Sequence, residues 1–119
     1  MRTKLVIVAD DLTGAADTAA AYGPLGGASV VLDASACSLP ATTVVAVDTD
    51  SRHASSARAA AAVTQAVERA ASAGAATYKK VDSTLRGNVA VEVDAALGVL
   101  SGPEPATAPL PRRVESTFL

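Results

Sequence analysis

Leu5 to Ala9 is an unbroken apolar run rich in Val and Ile, and it stops on Asp10 and Asp11. So short a run, closed at once by charge, predicts a strand buried on both faces of a parallel sheet. A helix is expected to follow to about Tyr22, with Thr13 as its cap and Gly23-Pro24 as its stop. Ala28 to Leu32 and Thr43 to Val47 read as the second and third strands, ending at Asp33 and Asp48. Ala54 to Ala73 reads as a long Ala-rich helix capped by Ser55 or Ser56, with Val63, Ala66, Val67 and Ala70 inward and Gly74 as its stop. A fourth strand is expected at about Ala76 to Val81. A last helix is expected at about Asn88 to Leu100, with Val89, Val93, Ala96, Leu97 and Leu100 facing the core.

Strands alternating with helices predict an α/β domain of three layers: a mostly parallel sheet with helices on both faces and right-handed crossovers. Residues 1–100 are assigned to this unit, an incomplete amino-terminal domain. From Ser101 the character changes, because Pro103, Pro105, Pro109 and Pro111 crowd together and Arg112-Arg113 follow without an apolar period. Residues 101–119 therefore read as a Pro-rich irregular tail.

Composition narrows the function classes. Half of the 119 residues are apolar, enough for one domain, but they are mainly Ala and Val, with only Tyr22, Tyr78 and Phe118 as aromatics. The core is expected to be marginal and to depend on close backbone packing. A formal charge of −2 lacks the basic excess of a nucleic-acid binder. No stretch reaches the roughly 20 apolar residues of a membrane span, and the amino-terminal run is too short for a signal peptide. The lone Cys37 and lone His53 make neither a disulfide nor a zinc site, so no metal is expected on this chain and a reducing cytoplasm is its expected compartment. Cys37 is read as structural.

In open parallel sheets sites form beyond the carboxyl ends of the strands, and the polar clusters fall there. The first is Asp10-Asp11 with Thr13, Gly14 and Asp17. Two adjacent carboxylates repel, which argues for a use: one binds ligand hydroxyls or takes a proton while the other caps the helix, although both could simply cap. The second runs from Asp48 through Ser51 and Arg52 to His53, and the third from Lys79 and Lys80 through Asp82, Ser83, Thr84, Leu85 and Arg86 to Gly87-Asn88. Together they offer guanidinium and ammonium groups for a carboxylate, and hydroxyls and carboxylates for a polyol. The plainer readings are an ion pair of Arg86 with Asp82 or Glu92, a solvated surface charge for Lys79, which is the preferred one there, and a polar loop role for His53. No Walker loop and no G-x-G-x-x-G is present, so no nucleotide cradle is expected here.

Three segments in this order, Ala9-Asp-Asp-Leu-Thr-Gly-Ala-Ala-Asp-Thr, Asp48-Thr-Asp-Ser-Arg and Lys79-Lys-Val-Asp-Ser-Thr-Leu-Arg-Gly-Asn, resemble the four-carbon acid sugar kinase family from about Arg2 to Leu100. The resemblance implies phosphorylation of threonate, erythronate or 3-oxo-tetronate, with an amino-terminal domain that holds the acid and a carboxyl-terminal domain that holds ATP and Mg2+. It implies that this chain is the first of these and binds neither ATP nor Mg2+ alone. Carried onto matching positions, the acid-binding residues are Asp10 or Asp11, Arg52, and Asp82, Ser83, Thr84 and Leu85 with Arg86. Leu85 can offer only its backbone. The rim reading adds Ser51 and Lys80. The base for the attacked hydroxyl is expected among Asp10, Asp11 and Asp82.

Family members are several times longer, so the chain is expected to be inactive alone, its ATP domain missing, with a frameshift or early stop as one origin for the tail. Its uncovered surfaces would favour self-association or docking of that missing domain. The alternatives are a non-catalytic fragment or a receiver-like signalling domain, which shares the double Asp after strand one and an Asp after strand three.

Overall fold

The computed structural model describes residues 3–35 and 39–101. The expected tail over residues 101–119, apart from Ser101, and Cys37 lie outside these described residues. Four strands, β1 (Leu5–Ala9), β2 (Ala28–Val31), β3 (Val44–Asp48) and β4 (Ala76–Lys80), form one sheet in the order β2-β3-β1-β4. All neighbouring pairs are parallel. Three helices, α1 (Leu12–Ala21), α2 (Ser56–Ser72) and α3 (Val89–Leu100), complete the fold, with a 3-10 turn over Gly23–Leu25 after α1. The predicted α/β class and every predicted element are present, with ends shifted by a residue or two, as is usual for element boundaries.

Side-chain alternation divides the sheet between two cores. Ile7, Ala9, Val44 and Ala46 pack with Ala15 and Ala19 of α1 on one face. Val6, Val8, Val45 and Val47 pack with Val63, Ala66, Val67 and Ala70 of α2 and Ala96 of α3 on the other. The chain is thus three-layered, and β1 and β3 are buried on both sides, as their continuous apolar runs require. Small Ala side chains on the inner faces of α1 and α2 let the helices lie close to the sheet, which is how a chain poor in aromatics closes its core.

Two local expectations need correction. Asp11, not Thr13, caps α1: its backbone is extended (φ −146°, ψ 163°) and its carboxylate accepts from the Gly14 N–H at 3.0 Å. Leu97 does not face inward but is 46% exposed. Glu92 and Ala96 form the buried line of α3, and Leu97, five positions beyond Glu92, is carried round to the far side of the helix. The cap of α2 is Ser55, whose hydroxyl accepts from the Arg58 N–H at 3.2 Å. Among the described residues no helix is long and apolar enough to cross a membrane.

Candidate functional site

Strand register decides which loops meet. Ala9 lies opposite Asp48 on one side and Lys80 on the other, so the segments that follow β1, β3 and β4 leave the sheet at one rim. Backbone bonds tie the first two together: the Thr49 N–H donates to the Ala9 carbonyl at 2.9 Å, and the N–H groups of Ser51 and Arg52 donate to the Asp10 carbonyl at 3.1 and 3.3 Å.

Arg52 is the hub of this rim. Its Nε and Nη2 donate to the two carboxylate oxygens of Asp10, each at 3.2 Å, and Nη2 also lies 3.2 Å from Asp11 Oδ1 and from Asp82 Oδ1. One guanidinium therefore neutralises carboxylates from two different loops, and the hydrogen bond with Asp10, more than any other contact, holds its proton tighter than usual. Asp82 is the second hub. Its Oδ2 accepts from the Thr84 hydroxyl, from the N–H groups of Thr84 (3.2 Å) and Arg86 (3.0 Å), and from Arg86 Nε at 3.0 Å, while Oδ1 accepts from Arg86 Nη2 at 3.0 Å. The Arg86 side chain, then Thr84 and the Arg86 N–H, hold the Asp82 carboxyl far below the usual range. The plainer reading of Arg86, an ion pair with Asp82, thus describes its contacts, although the side chain as a whole is 65% exposed.

A cavity of about 460 Å3 opens here, lined by Asp10, Asp11, Asp17, Arg52, Lys80, Asp82, Ser83 and Arg86, with Thr13, Gly14, Tyr22 and Tyr78 among its walls. Four aspartates face three cations. Among the described residues Lys80 is the cavity cation with no carboxylate in ion-pair range, its Nζ donating to the Val81 carbonyl at 2.7 Å. Asp11 uses Oδ1 for Gly14 and Arg52; its Oδ2 takes part in neither contact. Gly14 allows that cap, since a β-carbon there would stand 2.7 Å from Asp11 Oδ1. A neighbouring hollow of about 370 Å3 shares Asp10, Asp11 and Arg52 and adds Asp50, His53 and Arg58.

Not every expected residue reaches the cavity. Ser51 is buried, and its hydroxyl donates to Glu92 Oε2 at 2.8 Å. Thr84 bonds Asp82 rather than lining the wall, and Leu85 is exposed with a left-handed backbone (φ 60°). Asp48 lies just below the rim, where burial pushes its carboxyl up.

Lys79 overturns its expected role as a solvated surface charge: it is 1% exposed, and its Nζ lies 3.1 Å from Glu92 Oε1 of α3. Parity explains this, because Lys79 sits beside Val8 in the register and shares its face, the one that α2 and α3 cover. Glu92 entered the sequence reading only as an alternative partner for Arg86. The usable signal was a carboxylate in an otherwise apolar α3 together with a Lys on the covered parity of β4.

Comparison with known proteins agrees with this architecture. A family model described as a sugar-binding N-terminal domain matches residues 5–112. The D-threonate kinase of Cupriavidus necator is 47% identical over 100 residues, 82% of this chain and 24% of that protein. That of Bordetella bronchiseptica is 50% identical over 97 residues, 76% of this chain and 24% of the relative. A crystal structure of a domain of unknown function from Bordetella bronchiseptica, a domain-swapped dimer with bound citrate, matches at a TM-score of 0.72 and 41% identity, covering 80% of this chain and 25% of that one. The chain spans about a quarter of the length of the relatives it matches. Motifs, parallel sheet and relatives agree that this chain belongs to the four-carbon acid sugar kinase family and carries its sugar-binding N-terminal domain.

Proposed function

We propose that the rim cavity binds a four-carbon sugar acid of the D-threonate type and is the acid-holding part of an ATP-dependent sugar-acid kinase. The observation that carries this reading is the meeting of Arg52, Lys80 and Arg86 with Asp10, Asp11 and Asp82 around one cavity. Lys80, unpaired with any described carboxylate, and Arg86, an exposed side chain lining the cavity, suit the ligand's carboxylate. Asp10 and Asp11 suit its hydroxyls as acceptors, and Ser83 at the mouth can donate or accept. The citrate held by the Bordetella structure, a small hydroxy-tricarboxylate, supports a carboxylate ligand.

Of the three candidate bases, Asp11 fits best. Asp82 is held far below the usual carboxylate range by Arg86 and Thr84, and Asp10 has both oxygens on Arg52. Asp11 keeps Oδ2 outside its cap and ion pair. In this assignment Asp82 holds the 83–87 loop and Arg52 rather than moving a proton.

Mg2+ does not fit the described rim residues. The rim carboxylates Asp10, Asp11 and Asp82 are neutralised by guanidinium groups, and no group of three or more His, Cys, Asp or Glu is arranged there to hold a metal ion. These residues, in this reading, hold the acid and its attacked hydroxyl, not the phosphoryl donor. In this reading the nucleotide is held by a part of the longer relatives outside the matched quarter, and the chain alone does not phosphorylate.

Titration calorimetry of the chain with D-threonate, D-erythronate, 3-oxo-tetronate and the neutral polyol threitol tests the reading. We expect the acids to bind and threitol not to, with binding lost in Arg52→Ala and Lys80→Ala. Equal binding of threitol, or unchanged affinity in Lys80→Ala, would refute the assignment of the carboxylate end. Phosphorylation of a tetronate by the chain with ATP would refute its inactivity alone.

A further inference from the structure

The Lys79–Glu92 pair lies under the rim and takes no part in the cavity wall. Burying two charges is expensive, and a well-packed apolar pair serves stability as well or better, so the contacts that the charges make need a reason. Lys79 Nζ donates to the Lys80 carbonyl at 2.9 Å and holds Glu92 Oε1 at 3.1 Å, and Glu92 Oε2 accepts the Ser51 hydroxyl at 2.8 Å. Ser51 precedes Arg52 directly. One helical turn before Glu92, Asn88 Nδ2 donates to the carbonyls of Ser51 and Ala54, each at 2.9 Å. A chain of polar contacts thus runs from β4 through α3 to the backbone that carries Arg52.

We infer that Lys79 and Glu92 are a positioning pair: by fixing Ser51 from below they set the Arg52 guanidinium in register with Asp10, Asp11 and Asp82. Arg52 is joined to three carboxylates at 3.2 Å. A displacement of its backbone by a fraction of an ångström would break that sharing, and Glu92, tied by Lys79 to a central layer of the fold, resists it. The consequence for ligand affinity rests on the proposed acid-binding role, but the effect on Arg52 does not.

The experiment follows the Arg52 Nε–H resonance of the 15N-labelled, ligand-free full chain, identified by its loss in Arg52→Lys. In the double variant Lys79→Met/Glu92→Leu, which removes both charges and keeps apolar volume, we expect a cooperative melt. We also expect an Arg52 Nε–H signal moved towards the free-arginine shift, exchanging with water at least about tenfold faster, and a D-threonate affinity lower by about tenfold or more. A cooperative melt with an unchanged Arg52 signal would overturn the inference. If the double variant does not melt cooperatively, Ser51→Ala decides, read beside Thr49→Val because the Ser51 hydroxyl also lies 2.6 Å from Thr49 Oγ1: a shifted and faster-exchanging Arg52 signal in Ser51→Ala but not in Thr49→Val upholds the pair's role, and an unchanged signal, or the same change in both, overturns it. Loss of the signal's protection in a chain that never binds D-threonate would leave the positioning intact and refute the acid-binding role instead.

Discussion

Gly87 lies against Arg52 so closely that a β-carbon there would stand 2.9 Å from Arg52 Cγ and 2.9 Å from the Arg52 carbonyl oxygen. Its φ of 86° is also one that residues with a side chain rarely adopt. The Leu-Arg-Gly-Asn stretch after β4 thus needs its glycine twice, for the turn and for the approach to the rim's central guanidinium.

Gly87→Ala is expected to lower stability by about 1–3 kcal/mol and to displace Arg52. Urea unfolding measures the first effect, and sugar-acid affinity the second. A variant of wild-type stability would show that the loop can open without cost.

Asp82→Asn is expected to lower stability at neutral pH and to flatten its acid dependence. The folded carboxyl titrates below its ordinary value of 3.8, mainly because of the Arg86 hydrogen bonds. Its contribution is therefore present above that value and is lost as pH falls through and below it. Asp48 acts in the opposite sense: burial raises its pKa, so the folded state gains on the unfolded as pH falls through that raised value towards the ordinary 3.8, and part of the later loss is offset. Stability measured from pH 7 to pH 2 in wild type and Asp82→Asn separates the two, and identical acid limbs would contradict the Asp82 assignment.

Leu85→Asn is expected to leave stability unchanged or to raise it by up to about 1 kcal/mol, because a leucine at φ 60° is strained and this one is 56% exposed. Asn tolerates the left-handed region by bonding to its own backbone. A clear loss of thermal stability would mean that the Leu85 side chain packs on a surface in solution.

Lys79→Met alone is expected to be much worse than the double change with Glu92→Leu. It leaves Glu92 buried without its counter-ion, at a cost of about 3–5 kcal/mol, whereas the double variant should regain most of the loss. Chemical unfolding of the three proteins completes the cycle, and equal stability of the single and double variants would show that Glu92 is not held as a charge.

The elements, the three layers and the three polar clusters at the strand ends were legible in the sequence, because strand and helix periods are local and each cluster follows its apolar run directly. Arg52, Lys80, Arg86 and the three carboxylates stand out in the sequence by their place in these clusters and, Lys80 apart, as site positions of the motifs that resemble the family. What each does was decided by tertiary structure. Strand order and register, which no local pattern encodes, bring Ala9 beside both Asp48 and Lys80 and so place Arg52 against carboxylates from two loops. The choice of Asp11 over Thr13 as the cap depends on how the chain leaves β1, and the inward turn of Glu92 depends on a lysine in a different element. Periodicity tells which side of an element is covered; only the packing of α3 over β4 makes a lysine on that side a buried ion-pair partner rather than a surface charge.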